Sequence, residues 1–313
     1  MEEQELPYVL INTIGGARGV FEDHIEFLKK HFNLITMKQF LENKNHLREK
    51  IKAIYIWWFK PAANQELLHS LPNLKVIASA GAGVDHLDLK LISSFGVEVT
   101  NTPFAVSDAT ADLGMALMLA SARRLVEDIE YFPANWLGDE VTGATLGIIG
   151  MGTIGYMVAK RKWSLILFSH RKKEEEQAVG AIYCKKIEDL LQQSDFVMLV
   201  VKLTPQTHKL IGKKELELMK STATLINISR GPVVDQDALG EALQNGVIKA
   251  AALDVTHPEP LPRHHPLLKL KNIIITPHLG SSTTSSCHLM MKNMVESILA
   301  ALSGLPIPNK VTP

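Results

Sequence analysis

Short runs of apolar and β-branched residues alternate with helix-patterned stretches along almost the whole chain, and that order is the signature of parallel α/β architecture. A parallel strand can be followed by its neighbour only through a crossover long enough to hold a helix, which the alternation supplies. In the first third the candidate strands are Val9–Ile11, Ile54–Trp57, Val76–Ser79 and Val97–Thr100, with a helical stretch at Phe21–Lys30. A second set, Thr145–Ile149, Leu165–Phe168, Phe196–Val200, Thr224–Ile228, Ala251–Val255 and Ile273–Thr276, is predicted to form a sheet of its own. At 313 residues the chain exceeds one comfortable core, so two domains are expected. Asn101-Thr102-Pro103 reads as a break, followed by a Met- and Ala-rich helix at about 110–125. Its stripe of Met115, Met118 and Leu119 is expected to serve core or subunit packing, and a helix so apolar between domains points to a homodimer contact.

Composition narrows the partners. The formal net charge is zero and the longest basic run is Arg171-Lys172-Lys173, which speaks against nucleic acid. The start, Met-Glu-Glu-Gln-Glu, lacks the basic and apolar regions of a secretory signal, and no apolar run reaches the length of a bilayer span. The two cysteines, Cys184 and Cys287, have no metal-ligand spacing and define no disulfide scaffold, so a reducing cytoplasm is expected. The final Val-Thr-Pro carries no peroxisomal address.

The strand-like Leu146–Ile149 runs into Gly150-Met151-Gly152-Thr153-Ile154-Gly155, and a helical pattern follows. In that context the glycines have separate tasks: Gly150 for the tight turn, Gly152 for backbone approach to a pyrophosphate, and Gly155 for helix-to-sheet packing. Thr153 and Ile154 complete the candidate dinucleotide loop. The next apolar run ends at Phe168, where an NAD enzyme usually places an acid for the ribose hydroxyls; here the chain reads Ser169-His170-Arg171. A guanidinium beside a small hydroxyl residue suits a 2′-phosphate, so NADP(H) is preferred and NAD(H) remains usable. The alternative is a solvated basic turn.

Ligands of open parallel sheets bind beyond the carboxyl ends of the strands. There the chain delivers Arg230 after Thr224–Ile228, Asp254 and Glu259 after Ala251–Val255, and His278 after Ile273–Thr276. A carboxylate bonded to an imidazole fixes its tautomer and favours the protonated ring, as proton donation to a carbonyl requires. The planar fork of Arg230 can hold a substrate carboxylate and keto oxygen. Structural roles stand beside these, with Arg230 pairing an internal acid and Asp254 bonding a turn.

Taken together, Asn227-Ile228-Ser229-Arg230-Gly231-Pro232-Val233-Val234-Asp235, Leu253–Pro260 and Thr276-Pro277-His278-Leu279-Gly280-Ser281 resemble the signatures of the D-isomer-specific 2-hydroxyacid dehydrogenases, from about Leu74 to the C-terminus. Pro258-Glu259-Pro260-Leu261-Pro262 followed by His265-Pro266-Leu267 is similar to the glyoxylate/hydroxypyruvate reductase branch. The resemblance implies catalytic Arg230, Glu259 and His278 as substrate clamp, orienting acid and proton donor, with Asp254 near the nicotinamide carboxamide. Ala80–Asp85 resembles the family's substrate loop, which implies that the N–H groups of Ala82 and Gly83 meet the substrate carboxylate. It also implies an α/β fold of two flavodoxin- or Rossmann-like domains with parallel sheets: a substrate domain of residues 1–103 and 283–313, and an inserted dinucleotide-binding domain of residues 104–282. The expected reaction is NADPH-dependent reduction of a small 2-oxo acid, glyoxylate or hydroxypyruvate, with no metal. A 2-ketogluconate reductase is the alternative within the class, and a nucleotide-sensing interaction protein with little turnover is the alternative outside it. Trp58, if the strand alternation continues through it, is a candidate wall for the substrate's tail. Two stretches depart from the family pattern: 156–168 has room for only about two helical turns, and 126–136 is short for the family's linker. Either the chain is compacted there or residues are missing from it.

Overall fold

The computed structural model describes residues 5–16, 19–127, 137–161, 164–168 and 179–313, the last strand before residue 169 by its backbone alone. The chain divides into two compact units, residues 1–106 with 283–313 and residues 107–282, the second inserted into the first.

The first unit holds a six-stranded sheet in the order β13-β5-β4-β3-β1-β2. Its strands are β1 (Tyr8–Ile11), β2 (Asn33–Thr36), β3 (Ile51–Ile56), β4 (Val76–Ser79), β5 (Glu98–Thr100) and β13 (Lys310–Val311). The first five run parallel in the flavodoxin order, and β13 adds an antiparallel edge. The helix Thr284–Leu302 returns the chain to this unit and packs on β4, burying Met290, Met291, Met294 and Ile298. Its N-cap, Thr283, accepts a hydrogen bond from the backbone N–H of Ser286.

The second unit is a seven-stranded, all-parallel sheet in the order β12-β11-β10-β9-β6-β7-β8. These are β6 (Thr145–Ile149), β7 (Ser164–Phe168), β8 (Ile182–Tyr183), β9 (Phe196–Leu199), β10 (Thr224–Asn227), β11 (Ala250–Leu253) and β12 (Ile273–Ile275). Helices cover both faces, so the central strands are apolar throughout. Val197, Leu199, Leu225 and Leu253 enter one core, while Leu146, Ile148, Met198 and Ile226 enter the other. The helix Thr153–Ala159 is seven residues long, about two turns, and spans the short stretch between β6 and β7. Of the stripe on the helix Ser107–Ala122, Met115 and Met118 join the core, but Leu119 is 39% exposed.

The predicted strands overshoot at their carboxyl ends. Val200, Ile228, Val255 and Thr276 lie past the ladders, where the apolar runs continue into the loops that form the site. Trp57 is a further correction: β3 stops at Ile56, and reciprocal bonds between Trp57 and Lys60 (2.9 and 3.1 Å) close a turn with Trp58 and Phe59 at φ 50° and 61°. The alternation expected to orient Trp58 therefore does not reach it. Trp57 is core, and Trp58 is a partly exposed turn residue.

One carboxylate locks the amino-terminal ends of three strands. Asp195 Oδ2 accepts the Thr145 N–H at 2.8 Å, its Oδ1 accepts Lys220 Nζ at 2.8 Å, and its backbone bonds both Thr145 and Thr224. Burial works against the ionised form, but the bonds from Lys220 and Thr145 outweigh it and hold the carboxyl below the usual range. A lowered native pKa contributes stability above the unfolded-state value, which is lost as pH falls through the native one. Asp195→Asn should therefore lower the Tm at pH 7, with the gap to wild type shrinking as the buffer is acidified below the ordinary aspartate range. A gap that stays constant over that range, or no gap at pH 7, would contradict this role.

Candidate active site

Because all seven strands of the second unit run parallel, their carboxyl ends lie along one edge, and β6, β10, β11 and β12 each deliver candidate residues there. Gly150 ends β6 with φ 108°, a conformation that side chains other than glycine's rarely adopt. A Cβ at Gly155 would lie 2.2 Å from the Gly150 carbonyl oxygen, so the glycine lets the helix Thr153–Ala159 close onto the turn. At Gly152 a Cβ would meet nothing within 4 Å, which leaves the main chain open to close approach from outside. Thr153 and Ile154 form the first turn of the helix. Tight packing at two glycines and open space at the third fit a dinucleotide pyrophosphate. Ser169, His170 and Arg171 lie outside the described residues.

Arg230 follows β10 and is fixed by a side chain two places before Ser229. Asn227 Oδ1 accepts the Ser229 N–H (3.0 Å) and hydroxyl (2.6 Å), while Asn227 Nδ2 donates to the Arg230 carbonyl (2.9 Å). Arg230 Nη1 donates to the Ser229 carbonyl at 2.9 Å. At Gly231 a Cβ would stand 2.1 Å from the Thr256 carbonyl, so only glycine lets the Arg230 turn lie against the backbone that leads to Glu259.

Asp254, 2% exposed, organises the loop after β12. Its Oδ1 accepts the Thr276 hydroxyl and the Leu279 N–H, both at 2.7 Å, and its Oδ2 accepts the Gly280 N–H at 2.8 Å. Its carbonyl accepts the His278 N–H at 2.8 Å. Burial pushes the Asp254 carboxyl above its ordinary value, with these donors offsetting part of the effect. His278 is held between them at φ 58°, a strained conformation for a residue with a side chain.

From there His278 Nδ1 meets Glu259 Oε2 at 2.9 Å. Glu259 Oε1 accepts the Thr256 N–H at 3.0 Å, so each carboxylate oxygen has an assigned donor. Burial disfavours the charged form of Glu259, but the His278 bond and charge, the Thr256 N–H and the Arg230 charge together hold its carboxyl below the usual range. The predicted pair is thus in contact, with Arg230 close enough to act on Glu259. The sequence reading missed the donors that fix the loop, Thr276, Leu279 and Gly280; two of the three bonds come from backbone N–H groups, which leave no residue signature.

In the first unit, the loop after β4 carries Ala82 and Gly83. The Ala82 carbonyl accepts Asn101 Nδ2 at 2.7 Å, and Gly81 exchanges bonds with Thr102, so the Asn101-Thr102 break predicted from sequence secures this loop.

A Gly-rich turn at the switch of a doubly wound sheet, with an imidazole–carboxylate pair and a guanidinium at the neighbouring strand ends, defines a dinucleotide-dependent oxidoreductase. Residues 115–280 match the model for the D-isomer specific 2-hydroxyacid dehydrogenase, NAD binding domain. The chain is 38% identical over 316 residues to a glyoxylate reductase of Thermococcus litoralis, covering 94% of this chain and 95% of that one. It is also 38% identical to a glyoxylate/hydroxypyruvate reductase B of an Enterobacter species, covering 91% and 93%. Among solved structures it is similar to the NADPH-dependent glyoxylate/hydroxypyruvate reductase of Sinorhizobium meliloti in complex with NADP and malonate, with TM-score 0.83, 25% identity and coverage of 97% and 96%. The chain belongs to the D-isomer specific 2-hydroxyacid dehydrogenase family. No described helix is long and apolar enough to cross a membrane.

Proposed function

We propose that this enzyme reduces a small 2-oxo acid, glyoxylate or hydroxypyruvate, to the D-2-hydroxy acid, with NADPH preferred over NADH. The observation that carries the reading is the 2.9 Å contact between His278 and Glu259 at the sheet edge that also bears the Gly150–Gly155 turn. The relatives named glyoxylate and glyoxylate/hydroxypyruvate reductase support the substrate class.

The reduced nicotinamide, when bound, supplies the hydride that the carbonyl carbon accepts. Residues Gly150, Gly152, Thr153, Ile154 and Gly155 would hold its pyrophosphate, and Ser169, His170 and Arg171 its adenosine end. Arg230 binds the substrate carboxylate and keto oxygen with its planar fork, and the N–H groups of Ala82 and Gly83 bind the carboxylate. Ionised Glu259 accepts the proton-bearing Nδ1 of His278, which fixes the ring so that the proton given to the substrate leaves from Nε2. The carbonyl thus gains one hydride and one proton and becomes the hydroxyl, and the ring is left neutral with Nδ1–H in place. Asp254, which would lie near the nicotinamide carboxamide, acts through the loop that it holds. The exposed Leu119 and Leu125 favour a homodimer contact at the end of the Ser107–Ala122 helix, and the free thiols of Cys184 and Cys287 suit a cytosolic enzyme.

Proton donation matters in the transition state and not in cofactor recognition. His278→Ala should therefore lower kcat by about 10²–10⁴-fold while leaving NADPH affinity nearly unchanged. Steady-state kinetics with hydroxypyruvate, together with a fluorescence titration of NADPH, separates the two, and near-wild-type turnover would refute the proposed donor.

The cofactor preference rests on the missing acid after Phe168. Arg171 and Ser169 can give a 2′-phosphate one or two charge-assisted bonds at about 1.5–3 kcal/mol each, or roughly tenfold for one weak bond to about 10⁴-fold for two strong ones in kcat/KM. Wild type should favour NADPH by such a factor, and Arg171→Ala should lose most of it through a higher KM for NADPH. Equal efficiency with NADH in the wild-type enzyme would overturn the assignment of this loop and leave the acid–base pair untouched.

A further inference from the structure

Inside the first unit the helices Glu22–Lys29 and Thr284–Leu302 pack on one another and bring together Asp23, His24 and His288. One potential ligand atom from each, a carboxylate oxygen and two imidazole nitrogens, lies within 4.8 Å of the other two. The two rings stand 4.9 Å apart between centroids and are inclined at 56°, so they are not stacked face to face. His288 Nδ1 donates to the Thr284 carbonyl at 2.9 Å, one helical turn back, and this tautomer puts the lone pair on Nε2. A backbone carbonyl holding the second ring nitrogen is the usual support of a metal-binding histidine.

His24 supplies an independent sign. It is 1% exposed, and its Nδ1 has no hydrogen-bond partner among the described residues. Buried polar atoms are nearly always paired, so an orphan ring nitrogen of His24 beside a second histidine and a carboxylate calls for an occupant.

We propose that Asp23, His24 and His288 bind one divalent transition-metal ion of the zinc type, which joins the two helices from opposite ends of the chain. Two imidazoles with a single carboxylate select zinc-like ions over magnesium and calcium, which require oxygen ligands. Tetrahedral ligands on zinc stand about 3.3 Å apart. A change of rotamer at exposed Asp23 and small rotations of the two rings close the remaining distance, and water completes the coordination. None of the three residues belongs to the reaction, so the ion's part is to hold the returning helix in the first unit.

The full-length enzyme, stripped with a chelator, is titrated with Zn²⁺ by calorimetry and with Co²⁺ by visible absorption, alongside His288→Ala and Asp23→Asn. The expected result is one ion per wild-type chain, with the ligand-field bands of four-coordinate cobalt and a rise in Tm on adding zinc. Each variant should bind at least about a hundredfold more weakly, show no such bands and gain no Tm, while its turnover stays at the metal-free wild-type level. Zinc affinity equal in wild type and both variants, or no binding to wild type, would overturn the site. Asp23 is exposed, so Asp23→Asn carries the test if His288→Ala fails to fold.

Discussion

The buried carboxylate of Asp254 is the interaction on which the active edge depends. Three donors from residues 276–280 converge on it, and its own carbonyl takes the N–H of His278. Holding His278 at φ 58° costs on the order of 1–3 kcal/mol. Bonds to a charged acceptor contribute about 1.5–3 kcal/mol each, enough to sustain that strain. The direction of the imidazole is thus set by a group that sits behind it.

Two further constraints bring the partners to that imidazole. Glu259 is steered by the Thr256 N–H, and the backbone at Thr256 is in turn packed so tightly on Gly231 that no side chain fits between them. Asn227 pins the segment that presents Arg230. Guanidinium, carboxylate and imidazole are therefore held by contacts among three adjacent loops, all rooted in strands of the same parallel sheet. Glu259 is poised between burial, which disfavours its charge, and His278 and Arg230, which restore it. A carboxylate balanced in this way stays ionised at neutral pH while shielded enough to hold the ring firmly.

Much of this was legible in the sequence, and the exceptions have physical causes. β4 and β6 coincide with their apolar runs because turns bound them sharply. β10 and β11 end one or two residues early because the apolar run passes from the ladder into the site loop, where burial continues without strand pairing, while β9 and β12 stop one residue early at half-buried Val200 and Thr276. β8 and β13 are two-residue edge strands too brief to show a period, and β2 is an edge strand that begins on Asn33 and is nowhere fully buried, so it lacks an apolar run. The turn at Trp58 and Phe59 lacks the Gly or Asn that usually marks positive φ, so it read as continued strand. Glu259, His278 and Arg230 were visible because strand ends and side-chain chemistry coincide. The commitment of Asp254 to backbone donors was not visible, nor was the meeting of Asp23 and His24 with His288, residues near opposite ends of the chain.

Asp254 aligns the proton donor by holding its loop, and the kcat of Asp254→Asn with hydroxypyruvate and NADPH, measured beside a thermal melt, decides it. Asparagine keeps the size but cannot accept all three bonds, since half of its amide is a donor. A fall in kcat of about a hundredfold or more is expected, with cooperative unfolding retained. Turnover near the wild-type value in a folded variant would contradict it.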